Sequence, residues 1–117
     1  MIEGIGIDLV EISRLKESLE RTSGMRERLF TERERELKIE SLAGRFAAKE
    51  ALYKALHRDS KMRHAHSFQE AEIINEENGR PAFIFYGALA TELADARVHL
   101  SISHDAGNAM AFVIIER

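Results

Sequence analysis

The sequence contains no cysteine, which excludes disulfides, thiolate nucleophiles and thiolate metal sites together. It also lacks a long apolar run. Glu3 and Asp8 interrupt the N-terminal stretch MIEGIGIDLV, so no signal peptide is expected, and nothing approaches the roughly 20 residues that a membrane helix needs. Positive charge is not in excess either: the net charge is −3, which argues against bulk attraction to nucleic acid. No internal repeat or low-complexity tract is present, and the single proline, Pro81, falls in a turn beside Asn78 and Gly79. A soluble cytoplasmic protein with neither a membrane nor a nucleic acid as partner is therefore expected. At 117 residues with 44% apolar content, the chain has room for one domain, 1–117, around one core, and its 32% charged residues call for extensive charged faces.

Residues 2–10 alternate, with β-branched side chains dominant, and predict a strand with one buried face. Asp8, placed at the end of that strand, can cap the following helix near Glu11 or hold a hard cation. Ile12, Leu15 and Leu19 recur at helical spacing, and Thr22, Ser23 and Gly24 close that helix. After Met25 to Phe30, which carries Arg26 and Arg28, Thr31 and Glu34 form a capping-box pattern that opens a short helix to about Ile39. Ser41 is placed to cap a long helix running to about His57, with Leu42, Phe46, Leu52 or Tyr53, and Leu56 toward the core. The stretch 58–67 is polar and basic and reads as an exposed loop, and His57, His64 and His66 have poor spacing for zinc. Two hairpins are expected, one from 68–74 and 82–86 and one from 98–103 and 109–115, with a helix at 87–96 between them. The order indicates an α+β domain with an antiparallel sheet packed with a long central helix.

Within that long helix, RFAAKEALYK at 45–54 puts Phe46, Glu50 and Lys54 at i, i+4 and i+8 on one side. Glu50 and Lys54 taken alone describe an ordinary surface ion pair. Arg14, Arg21, Arg26 and Arg28 cluster in an acidic protein, either as a solvated face neutralised by Glu17, Glu20 and Glu27 or as a docking site for an acidic partner.

Three separated segments change the weighting. GIGIDLVEISRL at 4–15, RFAAKEALYKAL at 45–56 and LSISHDAGNAMAFVII at 100–115 together resemble the holo-acyl-carrier-protein synthase family, the small bacterial 4'-phosphopantetheinyl transferases. The resemblance covers essentially the whole chain. It implies transfer of the phosphopantetheine arm of coenzyme A to a serine of an apo acyl carrier protein, with release of 3',5'-ADP, in support of fatty acid biosynthesis. It further implies Asp8 and Glu50 as magnesium (Mg2+) ligands and Lys54 at the pyrophosphate, these three being the catalytic set. Arg45, Lys54 and His104 are implied for coenzyme A, and Arg14 and Arg21 for the acidic carrier. A carboxylate pair of this kind suits a reaction at an anionic phosphorus, where a divalent cation neutralises charge and aligns the pyrophosphate. The serine proton then has three candidate acceptors: a metal-bound water, a carboxylate-held water, or Glu50 itself. His104 read from the residues alone is a strand-end histidine bonded to the turn, and Asp105 serves either the turn or the site. The family's homotrimeric assembly, with sites between subunits, is implied as well. One departure stands out: where many members have a glycine-rich segment and then an acidic strand, this chain has HRDSKMRHAHSFQEAEII at 57–74.

Overall fold

In the computed structural model, which describes residues 1–56 and 68–117, strand β1 (Ile2–Glu11) is followed by helices α1 (Ile12–Arg21), α2 (Met25–Leu29), α3 (Glu32–Arg35) and α4 (Ile39–Ala55). A 3-10 turn at Phe68–Glu70 leads to β2 (Ala71–Asn75), β3 (Pro81–Phe85), α5 (Gly87–Glu92), β4 (Arg97–Asp105) and β5 (Asn108–Glu116). The larger sheet has the order β1-β5-β4, and β2 pairs with β3 in a separate two-stranded ribbon; every pairing is antiparallel. The expected α+β class therefore holds. The histidine-containing stretch at 57–67, read as a loop and weighed as a zinc site, lies outside the described residues.

Helix α4 is the core. Leu42, Ala43, Ala47, Ala48, Ala51, Leu52 and Tyr53 have no exposed surface, as expected for a helix covered on most sides rather than one with a single apolar stripe. Its small side chains admit β1 at very close range. A Cβ on Gly4 would sit 1.8 Å from the Ala55 carbonyl oxygen and one on Gly6 1.9 Å from that of Ala51, so only glycine fits at either position. This close approach decides which face of β1 is the buried one. Gly4, Gly6 and Val10 are buried, whereas Ile5, Ile7 and Leu9 point outward with 54%, 52% and 61% of their surface exposed. Opposite them on β5 stand Ile114, Phe112 and Met110. A strand's two faces alternate, so packing the glycines on α4 forces the isoleucines to the other side.

Several boundaries also differ from expectation. Helix α4 starts at Ile39, and its first turn is closed by the Leu42 amide on the Lys38 carbonyl, so Ser41 lies inside the helix instead of capping it. The Thr31–Glu34 capping box is present, but α3 stops at Arg35 because the Leu37 amide turns back to the Glu34 carbonyl in a tighter bond. Phe68 belongs to the 3-10 turn and not to a strand, and α5 closes at Glu92, with the Ala96 amide returning to the Leu93 carbonyl. Between β4 and β5, Ala106 (φ 49°) and Gly107 (φ 80°) are both left-handed, the conformation a two-residue hairpin turn requires. Among the described residues, no helix is long and apolar enough to cross a membrane.

Candidate functional site

Asp8 continues the row begun by Gly4 and Gly6, so the strand that lies flush on α4 presents its carboxylate to that helix. Lys54, in the last turn of α4, reaches it: Nζ donates to Asp8 Oδ1 and to the Ile7 carbonyl, both at 2.9 Å. The carboxylate that Lys54 meets is therefore on the neighbouring strand, not Glu50 one turn back. The capping reading of Asp8 fails, because the ladder with β5 runs on to Glu11, which occupies the N-cap of α1 without a side-chain cap.

Glu50 is half-buried and shares an open cleft of about 350 Å³ with Asp8. Arg14, Leu15 and Ser18 of α1 form the opposite wall, with Met25 and Phe46 as apolar lining. Two carboxylates, a guanidinium and an apolar floor thus converge from β1, α1 and α4. No group of three or more metal-ligating side chains occurs among the described residues. Two carboxylates fit a cation such as magnesium, which retains water and takes phosphate oxygens to complete its shell.

Arg45 and His104 meet in a different place. With Ser41, Asn75, Gly79 and Ile102 they line a pocket of about 200 Å³ between α4, β4 and the β2–β3 turn. Arg45 is only 9% exposed, and its Nε donates to the Ile73 carbonyl at 3.2 Å. Burial draws this guanidinium below its ordinary pKa, against the opposing charges of Glu34 and Glu72. His104 Nε2 lies 2.9 Å from the Glu40 carbonyl oxygen, so that nitrogen carries the proton and the ring is anchored on α4, not on the turn. Gly44 makes room for it: a Cβ there would be 3.1 Å from His104 Nε2. Asp105 is exposed and lines a wider opening with Lys16 and His104. Among the described residues of one chain, the carboxylate cleft and the Arg45–His104 pocket share no lining residue.

Of the four clustered arginines, Arg14 and Arg21 lie exposed on α1 at i and i+7, on the same stripe as Ser18. Arg26 is engaged internally, its Nη1 donating to the Arg35 carbonyl at 3.1 Å.

Sequence reading missed a buried polar network. Lys49 is fully buried beside Glu34, Nζ to Oε1 2.6 Å. Burial lowers the Lys49 pKa, and the Glu34 charge opposes that shift. Glu72, also buried, accepts from the Thr31 and Tyr86 hydroxyls. Burial pushes the Glu72 carboxyl up, but those hydrogen bonds and the Arg33 charge outweigh it and leave the pKa below the usual value. The available signal was Lys49 itself, a charge flanked in the sequence by Ala47, Ala48, Ala51 and Leu52.

A family model of the 4'-phosphopantetheinyl transferase superfamily matches residues 4–113. The chain is 48% identical over 120 residues to the holo-[acyl-carrier-protein] synthase of Leifsonia xyli subsp. xyli, covering 100% of this chain and 98% of the relative. Among solved structures, it is similar to the ACPS–CoA complex of Chronobacterium ammoniagenes, with a TM-score of 0.83, 32% identity and coverage of 97% and 96% of the two chains. It is likewise similar to the holo-(acyl-carrier-protein) synthase of Bacillus anthracis in complex with CoA (3',5'-ADP), with a TM-score of 0.80, 39% identity and coverage of 99% and 97%.

Proposed function

The chain belongs to the 4'-phosphopantetheinyl transferase superfamily, and we propose the following account of how its residues perform the reaction. It is a transferase that moves the 4'-phosphopantetheine arm of coenzyme A to a serine of an apo acyl carrier protein and releases 3',5'-ADP. A bond forms between the serine oxygen and the phosphorus of the arm as the serine proton passes to Glu50 or to a water held by the carboxylates. The bond from that phosphorus to the bridging oxygen breaks, and the electron pair leaves on the 5'-phosphate of 3',5'-ADP.

The observation that carries the assignment is the convergence of Asp8, Glu50 and Arg14 on one cleft, with Lys54 held on Asp8. Asp8 and Glu50 would hold magnesium; when bound, the ion supplies charge neutralisation at the pyrophosphate. Lys54 is half-exposed on its flexible stem and can turn from Asp8 to the leaving phosphate, where negative charge develops. Arg45 and His104 take the nucleotide end, the buried guanidinium matching the 3'-phosphate. Arg14 at the cleft mouth and Arg21 farther along the same stripe receive the acidic carrier, an attraction that mainly raises the encounter rate and weakens with salt.

The active assembly is a homotrimer in this reading. Ile5, Ile7, Leu9, Met110 and Phe112 together leave a contiguous apolar sheet face exposed, and contiguous apolar faces of this kind mark association surfaces. The separation of the two half-sites within one chain supports the same view, since a neighbouring copy would supply the missing half. Phe112→Glu is expected to yield monomers by light scattering and to abolish turnover; an active monomer contradicts the shared site. A cytoplasmic location belongs to this proposal, and the cysteine-free composition is compatible with it.

The test is incubation with apo acyl carrier protein, coenzyme A and magnesium, followed by mass spectrometry of the carrier. Addition of the phosphopantetheine arm is the expected outcome. Tight coenzyme A binding by calorimetry with no modified carrier would identify a binding module and overturn the assignment.

A further inference from the structure

We infer that Glu34, buried against Lys49, is a positioning residue for recognition of the 3'-phosphate of coenzyme A, acting through Ile73 on Arg45. The inference rests on the reading of Arg45 as the 3'-phosphate ligand. Strand β2 belongs to a two-stranded ribbon, so among the described residues one of its edges has no strand beside it, and backbone groups on such an edge need other partners. At Ile73 two charged side chains provide them. Glu34 Oε2 accepts the Ile73 amide at 2.9 Å, and Arg45 Nε donates to the Ile73 carbonyl at 3.2 Å. One residue of the ribbon is thus held between a carboxylate of α3 and a guanidinium of α4.

Glu34 is itself fixed. Its Oε1 receives Lys49 Nζ at 2.6 Å and the Thr31 amide at 3.0 Å, and the same Nζ donates to the Leu29 carbonyl at 2.7 Å. Glu34 and Lys49 are 1% and 0% exposed, so this linkage is rigid and desolvated. A buried ion pair adds little net stability over apolar residues of similar size, so what it contributes here is position. Beyond Ile73, the same ribbon supplies Asn75, Gly79 and Pro81 to the pocket that Arg45 and His104 line. Among the described residues, the Arg45 guanidinium makes only the hydrogen bond to Ile73, which leaves both Nη groups for a ligand. The Ile73 carbonyl therefore sets the angle at which the guanidinium fork enters the pocket, and Glu34 sets the Ile73 carbonyl.

Two paired variants separate this role from a general structural one. Glu34→Gln/Lys49→Met removes both charges but keeps an acceptor for the Ile73 amide; Glu34→Leu/Lys49→Met removes the acceptor too. The reading is the preference for coenzyme A over 3'-dephospho-coenzyme A, as a ratio of kcat/KM, with Arg45→Met as reference. Wild type and the Gln/Met variant are expected to agree within about twofold. The Leu/Met variant is expected to lose about tenfold of the preference, in KM for coenzyme A and not in kcat, the size of one weakened charge-assisted hydrogen bond. Equal preference in the two double variants overturns the inference, provided Arg45→Met loses the preference. If Arg45→Met keeps it, the Arg45 reading itself has failed. Should the Leu/Met variant not fold, hydrogen exchange on the unaltered protein decides. The Ile73 amide is expected to exchange several-fold more slowly with 3',5'-ADP than with ADP, and equal exchange overturns the coupling.

Discussion

Helix α4 carries two lysine–carboxylate pairs five residues apart, and they differ in nearly everything but chemistry. Lys49 and Glu34, 2.6 Å apart, have side chains that are 0% and 1% exposed; Lys54 and Asp8, 2.9 Å apart, are 47% and 16% exposed. The first pair is enclosed by α2, α3 and the β2 edge, with Lys49 also over the Phe30 ring at 5.3 Å. The second opens on the cleft that holds Glu50 and Arg14, and its lysine has a free path to solvent. Enclosure makes a pair a fixed strut, while access to solvent leaves the partners available to exchange each other for a ligand.

That contrast can be broken most strongly at the buried end. Lys49→Met leaves Glu34 buried without its counter-charge, and urea denaturation is expected to show a loss of about 3–5 kcal/mol. A loss below about 1 kcal/mol would mean that the pair is not enclosed as described. At the exposed end, Lys54→Met is expected to cost about 1 kcal/mol or less in the same measurement. It should nonetheless lower the rate of carrier modification by about 100-fold, the scale of losing one transition-state charge partner. Comparable stability losses in the two variants would erase the distinction between strut and exchangeable pair. The smallest effect concerns pH. Glu72 has a folded pKa below its unfolded value, so the stability it contributes is fully present above the unfolded pKa of 4.5 and is lost as pH falls through the folded value. Glu72→Gln should therefore flatten the acid limb of a stability–pH curve, and an unchanged limb would place the linkage on other groups.

Much of this architecture is legible in the residues. Period-two alternation marked β1 and β4, an apolar β-branched run marked β5, the Asn78–Gly79 pair marked the turn between β2 and β3, and the Ala-rich run marked α4. Alternation shows that β1 has two faces but not which one is packed. The face was chosen by glycine, because the absence of Cβ atoms at Gly4 and Gly6 lets two backbones touch. The Glu34–Lys49 strut stayed hidden for a related reason: charged side chains are read as exposed, and only tertiary packing encloses them. Helical spacing likewise offered Glu50 as the neighbour of Lys54, whereas the partner is Asp8, 46 residues away in the chain. The candidate site residues themselves were visible as three motifs, and what spacing along one helix could not supply was their pairing across elements.

In the proposed reaction the cleft between Asp8 and Glu50 carries out the transfer, while the enclosed side of α4 positions the groups that bind the nucleotide end. Glu50→Gln tests it most directly, assayed beside the unaltered protein with apo acyl carrier protein, coenzyme A and magnesium and read as the mass of the carrier. The expected result is a folded variant that leaves the carrier unmodified while the unaltered protein converts it; conversion at the unaltered rate would contradict the claim.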